Sequence, residues 1–218
     1  MRIHQILDEW SAIDQGIIDA LKEKGYEYIN KGGDQAAFLE PETGYVLKIF
    51  GTNYGADVET TKNGKQTANF SSDQKMFFKW AKYCNQVKNN PFLPKFSGFE
   101  SFYWGNKVYL QIRQERLQEL SYEIGDVLAQ ISYSAQNGSS YERMKRSLEV
   151  KDEWNSLRVP FEQLRTKLGD SELKLLYKTI VHLTRMGERN DWTNDLHRSN
   201  FMMRDNGTPV IVDPWTVD

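Results

Sequence analysis

Near the C-terminal end of this 218-residue chain, three oxygen-bearing side chains stand in a suggestive order: Asp195, Asn200 and Asp213. The first two are five positions apart in Asp195-Leu196-His197-Arg198-Ser199-Asn200. Two apolar runs, Phe201-Met202-Met203 and Val210-Ile211-Val212, then flank Asp205-Asn206-Gly207-Thr208. An Asn-Gly pair between apolar runs is a strong signal for a tight β-hairpin. Such a hairpin returns the chain on itself, so Asn200 and Asp213 are predicted to be neighbours. This set suits phosphoryl transfer: a hard cation such as Mg²⁺ takes a few carboxylate or amide oxygens and leaves its other positions to water and phosphate. A separate carboxylate can then orient an attacking hydroxyl and accept its proton.

The rest of the chain must position these groups. Residues 3–24 place Ile3, Ile6, Leu7, Trp10, Ile13, Ile17, Ile18 and Leu21 at helical spacing, with Gly25 ending the pattern. Short strands are predicted at 26–30, 36–39 and 45–50, joined by tight turns into an antiparallel meander. Residues 51–72, rich in Gly, Asn, Thr and Ser, read as a mobile loop. A helix at 73–88, stopped by Asn89-Asn90-Pro91, precedes strands near 96–103 and 107–112 with Gly105-Asn106 turning between them. Beyond about residue 117 the pattern turns helical, with spans at 121–133 and 172–186, the second capped by Ser171 or Asp170. Residues 136–147 read as a polar surface segment. A strand-rich half followed by a helix-rich half implies an α+β protein with two lobes.

On these residues the chain resembles the protein-kinase-like superfamily. Asp195-Leu196-His197-Arg198-Ser199-Asn200 is similar to the kinase catalytic loop, and Val212-Asp213-Pro214-Trp215 resembles the metal-binding turn that most protein kinases write Asp-Phe-Gly. Asp-Leu-His is similar to the loop of aminoglycoside-phosphotransferase-type kinases, and the compact pairing of loop and hairpin resembles small bacteriophage protein kinases. Gly32-Gly33 resembles the glycine-rich loop over the ATP phosphates, and Lys48 in Val46-Leu47-Lys48-Ile49 resembles the lysine of the third strand. Gln114-Glu115-Arg116-Leu117 resembles the hinge whose backbone reads adenine.

The resemblance implies a two-lobed kinase-like fold. Residues 1–117 would form an N-lobe of an N-terminal helix, a five-stranded antiparallel sheet and one further helix, and residues 118–218 a truncated, mainly helical C-lobe. It implies ATP and Mg²⁺ bound between the lobes, with Asp195 as the base and Lys48 as the phosphate-holding cation. Gly32, Gly33, Lys48, Glu115 and Leu117 would bind nucleotide, and Asn200 and Asp213 would hold the metal. It implies a Ser/Thr-type protein kinase whose acceptor is a protein (the chain itself included) or a small hydroxylated compound. The alternative is a pseudokinase-type module that grips a partner without catalysis. Several features depart from the family pattern. Ala36 and Ala37 stand where a later glycine is usual, Thr193-Asn194 precedes the catalytic Asp, and the 73–88 helix has no Glu, leaving Asp73 or Gln74 as the candidate partner of Lys48. Five residues follow Asp213 in the sequence, and neither an activation segment nor a protein-substrate platform is expected from it.

Taken singly, each residue has a plainer reading. A loop Asp or Asn is commonly a turn former, a strand Lys commonly faces solvent, and paired glycines occur in ordinary hairpins. The conjunction in the right order carries the assignment. His197 is read as a hydrogen-bonding residue within the loop, and Arg198 as a surface residue.

Composition narrows the alternatives. Lys and Arg number 28 against 30 Asp and Glu, a formal balance of −2, without the positive field that nucleic-acid and membrane-surface binders use. The one cysteine, Cys84, precludes an internal disulfide and reads as a small buried hydrophobe. No run approaches the ~20 apolar residues that span a bilayer, and Met1–Gln5 has no signal-peptide core. A cytoplasmic protein is therefore expected.

Overall fold

A computed structural model describes residues 13–31, 35–51, 58–60, 66–68, 71–105, 107–150 and 155–216. The architecture is α+β, with a five-stranded antiparallel sheet and, among the described residues, six α-helices. The chain divides into two compact units: Met1–Gln86 with Lys95–Arg116, and Val87–Pro94 with Leu117–Asp218.

The first unit begins with α1 (Gln15–Glu23), whose N-cap Asp14 accepts from the Gly16 N–H. The expected 3–24 helix is not continuous: Ile13 and Asp14 are not helical, Asp14 capping α1 instead, and residues 3–12 lie outside the described residues. Strands β1 (Glu27–Lys31), β2 (Gln35–Leu39) and β3 (Val46–Phe50) form the expected meander. The 51–72 segment differs from expectation: β4 (Val58–Thr60) and β5 (Gln66–Ala68) pair antiparallel within it. Short polar strands without apolar alternation leave no periodic signal. Helix α2 (Ser72–Gln86) leads, after the 87–94 segment, to β6 (Phe96–Trp104) and β7 (Lys107–Gln114). Asn106, between these two strands in sequence, lies outside the described residues. The sheet order is β1-β2-β3-β7-β6.

Period-two alternation sends Ala36 and Phe38 of β2 and Leu47 and Ile49 of β3 to one face. Ile13, Ile17 and Ile18 pack there with Tyr109 in one buried cluster. Each of the buried Ile, Leu and Phe side chains contributes roughly 1.5–3 kcal/mol by leaving water. A chain of rings links α2 to the sheet: Phe50 to Phe77 at 4.8 Å, Phe77 to Phe96 at 5.7 Å and Phe78 to Phe99 at 4.9 Å. In β6 the register shifts between Ser97 and Glu100, and Gly98 there has φ 60°. A Cβ at Gly98 would lie 2.6 Å from Arg113 Nη1. That space lets Arg113 reach Glu40 at 3.0 Å, and Tyr26 and Thr43 also donate to the same nearly buried carboxylate.

The second unit is mainly helical. After β8 (Gln118–Glu119) come α3 (Tyr122–Gln136), α4 (Tyr141–Val150), α5 (Asn155–Leu168) and α6 (Asp170–Arg189). The core joins Val127, Leu128 and Ile131 of α3 with Leu173, Leu176, Ile180 and Leu183 of α6, all fully buried. Two expectations are corrected here. Residues 141–150 are helical rather than a polar surface segment, with Tyr141, Met144 and Leu148 buried along one narrow stripe. The α6 N-cap is Gly169, at φ 80° and with no side-chain cap bond, rather than Ser171 or Asp170. Helix α5 accommodates Pro160 in its interior beside the buried Phe161.

Small strands complete the unit. β9 (Thr193–Asn194) pairs with β12 (Trp215–Thr216), and β10 (Phe201–Met203) pairs with both β8 and β11 (Pro209–Ile211). The Asp205–Thr208 turn joins β10 to β11, with Gly207 at φ 78°. The 87–94 segment belongs with this hairpin: the Ile211 N–H donates to Phe92 O at 2.9 Å, and the Arg204 guanidinium donates to Leu93 O at 2.8 Å and to Pro91 O. No helix among the described residues is long and apolar enough to cross a membrane.

Candidate functional site

The 195–200 loop is a tight turn held by its own backbone. The His197 N–H donates to Asp195 O at 2.9 Å, and the Asn200 N–H donates to His197 O at 3.0 Å, closing a 3-10 turn over Arg198–Asn200. Both ends of the loop are tied to the returning chain. The Asp195 N–H donates to Pro214 O and the Val212 N–H donates to Asn200 O, each at 2.9 Å. The structure thus brings Asp195, Asn200 and the two residues flanking Asp213 together through backbone bonds, with the Asp213 side chain exposed.

The adjacent strand pair rests on Trp215. Its ring is 1 % exposed, its Nε1–H donates to Leu183 O at 3.1 Å, and Trp192 packs on it at 4.9 Å. Gly187 of α6 leaves room for this ring, since a Cβ there would lie 2.9 Å from Trp215 Cδ1.

Side chains within the loop point at Asp195. The Asn200 amide nitrogen donates to Asp195 O at 2.6 Å and to Asp195 Oδ2 at 3.0 Å. Asp195 Oδ1 lies 3.2 Å from His197 Nε2, and His197 Nδ1 lies 2.8 Å from Ser199 Oγ. His197 is thus a bridging residue inside the loop. With its nitrogen donating to Asp195, the Asn200 side chain has its amide oxygen as the atom that could serve a cation. Among the described residues no group of three or more His, Cys, Asp and Glu forms a metal cage. A cation here would depend on the Asn200 amide oxygen and the Asp213 carboxylate, a sparse oxygen set that fits Mg²⁺, which keeps waters and phosphate oxygens as its other ligands.

Arg198 is exposed, as expected of a surface residue, and its side chain nevertheless meets three residues of α3. Its guanidinium carbon stands 3.7 Å above the centre of the Tyr122 ring, and Nη1 lies 3.5 Å from Asp126 Oδ1. Beneath its stem is Gly125, buried in α3, where an added Cβ would press into Arg198 Cγ and lie 2.8 Å from Cδ. A helix-interior glycine costs roughly 0.5–1 kcal/mol relative to alanine, and here it makes the space the arginine stem fills. Sequence reasoning passed over Tyr122, Gly125 and Asp126; a glycine inside an otherwise apolar helical stretch is the signal that could have found them.

In the first unit, Lys48 of β3 is half-buried, with Nζ 5.2 Å from the centre of the Phe77 ring. Of its two candidate partners, Gln74 is buried and engaged elsewhere: its Nε2 donates to Gly51 O at 2.7 Å and its Oε1 accepts from the Ser71 N–H at 3.2 Å. Asp73 is exposed in the first turn of α2. Phe77 was legible in the sequence only as part of an apolar stripe. Gly32 and Gly33 lie outside the described residues. The Glu115 N–H donates to Lys95 O at 2.9 Å and the Glu115 carboxylate accepts from the Lys95 N–H at 2.8 Å, so this amide is already paired. Leu117, half-buried, opens the helical unit's second stretch. No family model matches the chain, and no curated protein matches it in sequence.

Proposed function

We propose that the chain is an ATP- and Mg²⁺-dependent phosphotransferase of the protein-kinase-like type, moving the γ-phosphoryl group to a hydroxyl acceptor, with Ser or Thr of a protein as the favoured acceptor class. The observation that carries this reading is the double donation of the Asn200 amide to Asp195, in a loop whose two ends are bonded to the residues on either side of Asp213. Asp195 is the base that orients the acceptor hydroxyl and takes its proton. The Asn200 nitrogen and His197 fix the direction of its carboxylate. Asn200 Oδ1 and Asp213 would hold Mg²⁺, which neutralises phosphate charge when bound. By the same reading Lys48 holds nucleotide phosphate, with the Phe77 ring stabilising its ammonium.

The test is transfer from radiolabelled ATP to the chain itself, to protein acceptors and to small hydroxylated compounds. Asp195→Ala should lower transfer by about 10²–10⁴-fold, the share a positioned base supplies, while Mg²⁺-ATP still raises the melting temperature of the variant. Wild-type turnover by Asp195→Ala would remove Asp195 as the base. A second reading, a nucleotide-free gripping module, draws on the absence of any Glu between residues 73 and 88. The absence of any thermal shift with millimolar ATP and Mg²⁺ would favour it.

A further inference from the structure

We propose that Arg198 is a positioning residue, seated over Gly125, that fastens the 195–200 loop to α3 and thereby sets the aim of Asp195. Three residues at helical spacing on one face of α3 meet this one side chain: Tyr122 under the guanidinium, Gly125 under the stem and Asp126 at Nη1. The Arg198 side chain is 43 % exposed, but it is the stem, Cγ and Cδ, that lies where a Cβ at Gly125 would go, so the contact is not one that the mobile guanidinium end can simply leave. The seat also transmits force. Arg198 opens the 3-10 turn that ends at Asn200, and the Asn200 N–H to His197 O bond spans it, so a displaced stem moves the residue that holds Asp195. Arg198 acts on Asp195 through the loop and touches no reacting atom.

The kinetic part of the test rests on the phosphotransferase reading; the exchange part rests on the geometry alone. Gly125→Ala, Arg198→Ala and the double variant are compared in full-length protein. Single-turnover transfer from Mg²⁺-ATP should fall about tenfold or more in each single variant, with KM for ATP within about twofold, since a small misplacement at the reacting centre suffices. Amide exchange at Asn200 should quicken about tenfold. The double variant should be no slower than Arg198→Ala alone, because removing the stem removes what the new methyl strikes. Multiplied effects in the double variant, or wild-type exchange at Asn200 in Gly125→Ala, would overturn the proposal. Should Gly125→Ala lose cooperative unfolding, Arg198→Ala and Arg198→Lys decide. Lys keeps stem and charge but loses the flat stacking on Tyr122, so it should fall between wild type and Ala in both readouts, and wild-type values in both variants would reject the role. If the wild-type chain transfers no phosphate, the phosphotransferase reading fails, and Asn200 exchange alone judges the seat.

Discussion

The Asn200 side-chain nitrogen is shared between two oxygens of one residue, the carbonyl of Asp195 at 2.6 Å and its carboxylate Oδ2 at 3.0 Å. One contact fixes the backbone of the loop and the other fixes the rotamer of Asp195. Asn200→Asp keeps the shape but turns this double donation into a meeting of like charges. Transfer activity is expected to drop at least about hundredfold, with a stability loss of about 1–3 kcal/mol from the lost donations and the like-charge contact. Activity assays and urea unfolding check both. Asn200→Asp with wild-type activity would dismiss the pairing as incidental.

Glu40 offers a pH-dependent test in the first unit. Burial pushes its carboxyl upward, but hydrogen bonds from Thr43, Arg113 and Tyr26 outweigh that and hold it below its ordinary value. A carboxyl depressed by folding contributes stability above its unfolded value, about 4.3 for Glu, and loses it as pH falls through the folded value. Glu40→Gln should therefore be less stable than wild type at pH 7, by roughly 1–3 kcal/mol, and the gap should narrow as the pH is lowered below about 4. Urea midpoints at several pH values measure it. A gap that widened with acid would reverse the sign.

The Trp215 seat can be challenged from both sides. Gly187→Ala places a methyl 2.9 Å from the ring and should cost about 1–3 kcal/mol through overpacking. Trp215→Ala empties the seat and should cost about 3–5 kcal/mol. Because Pro214 O accepts from the Asp195 N–H, both changes should also lower transfer. Chemical unfolding with parallel activity assays decides; Gly187→Ala at wild-type stability would mean the ring adjusts freely.

Cys84 is 5 % exposed and burial pushes its thiol far up. Since the thiolate is the reactive form, a thiol reagent at pH 8 should label native protein only as fast as it opens, and labelling should accelerate steeply through the urea transition. Rapid labelling in the native state would contradict the burial.

What the sequence disclosed follows from how locally each feature is encoded. Phe38, Leu47 and Ile49 lie in short apolar runs separated by the turn-forming Pro41-Glu42-Thr43-Gly44, and the Asn206-Gly207 pair marks its own turn, so the meander and the terminal hairpin are legible residue by residue. Asp195 and Asn200 sit on one short loop, where spacing alone suggests their partnership. Helix α4 hides because Tyr141, Met144 and Leu148 are a thin stripe among charged residues. Pro160 argues locally against the helix that contains it. Arg198 and Gly125 are far apart in sequence, and nothing in either residue's neighbourhood announces the other. Phe77 is similar: an aromatic in an apolar stripe looks like core until a lysine is found above it.

The path of the polypeptide carries one practical consequence. Since the stretch from Val87 to Pro94 is built into the helical unit while the residues on either side of it are not, neither unit corresponds to a continuous piece of the gene. A fragment starting at Leu117 would leave the Ile211 amide and the Arg204 guanidinium without the carbonyls of Phe92 and Leu93 that receive them. Dissecting this protein into separately produced halves therefore calls for a circularly rearranged or grafted chain in which those eight residues travel with the helices.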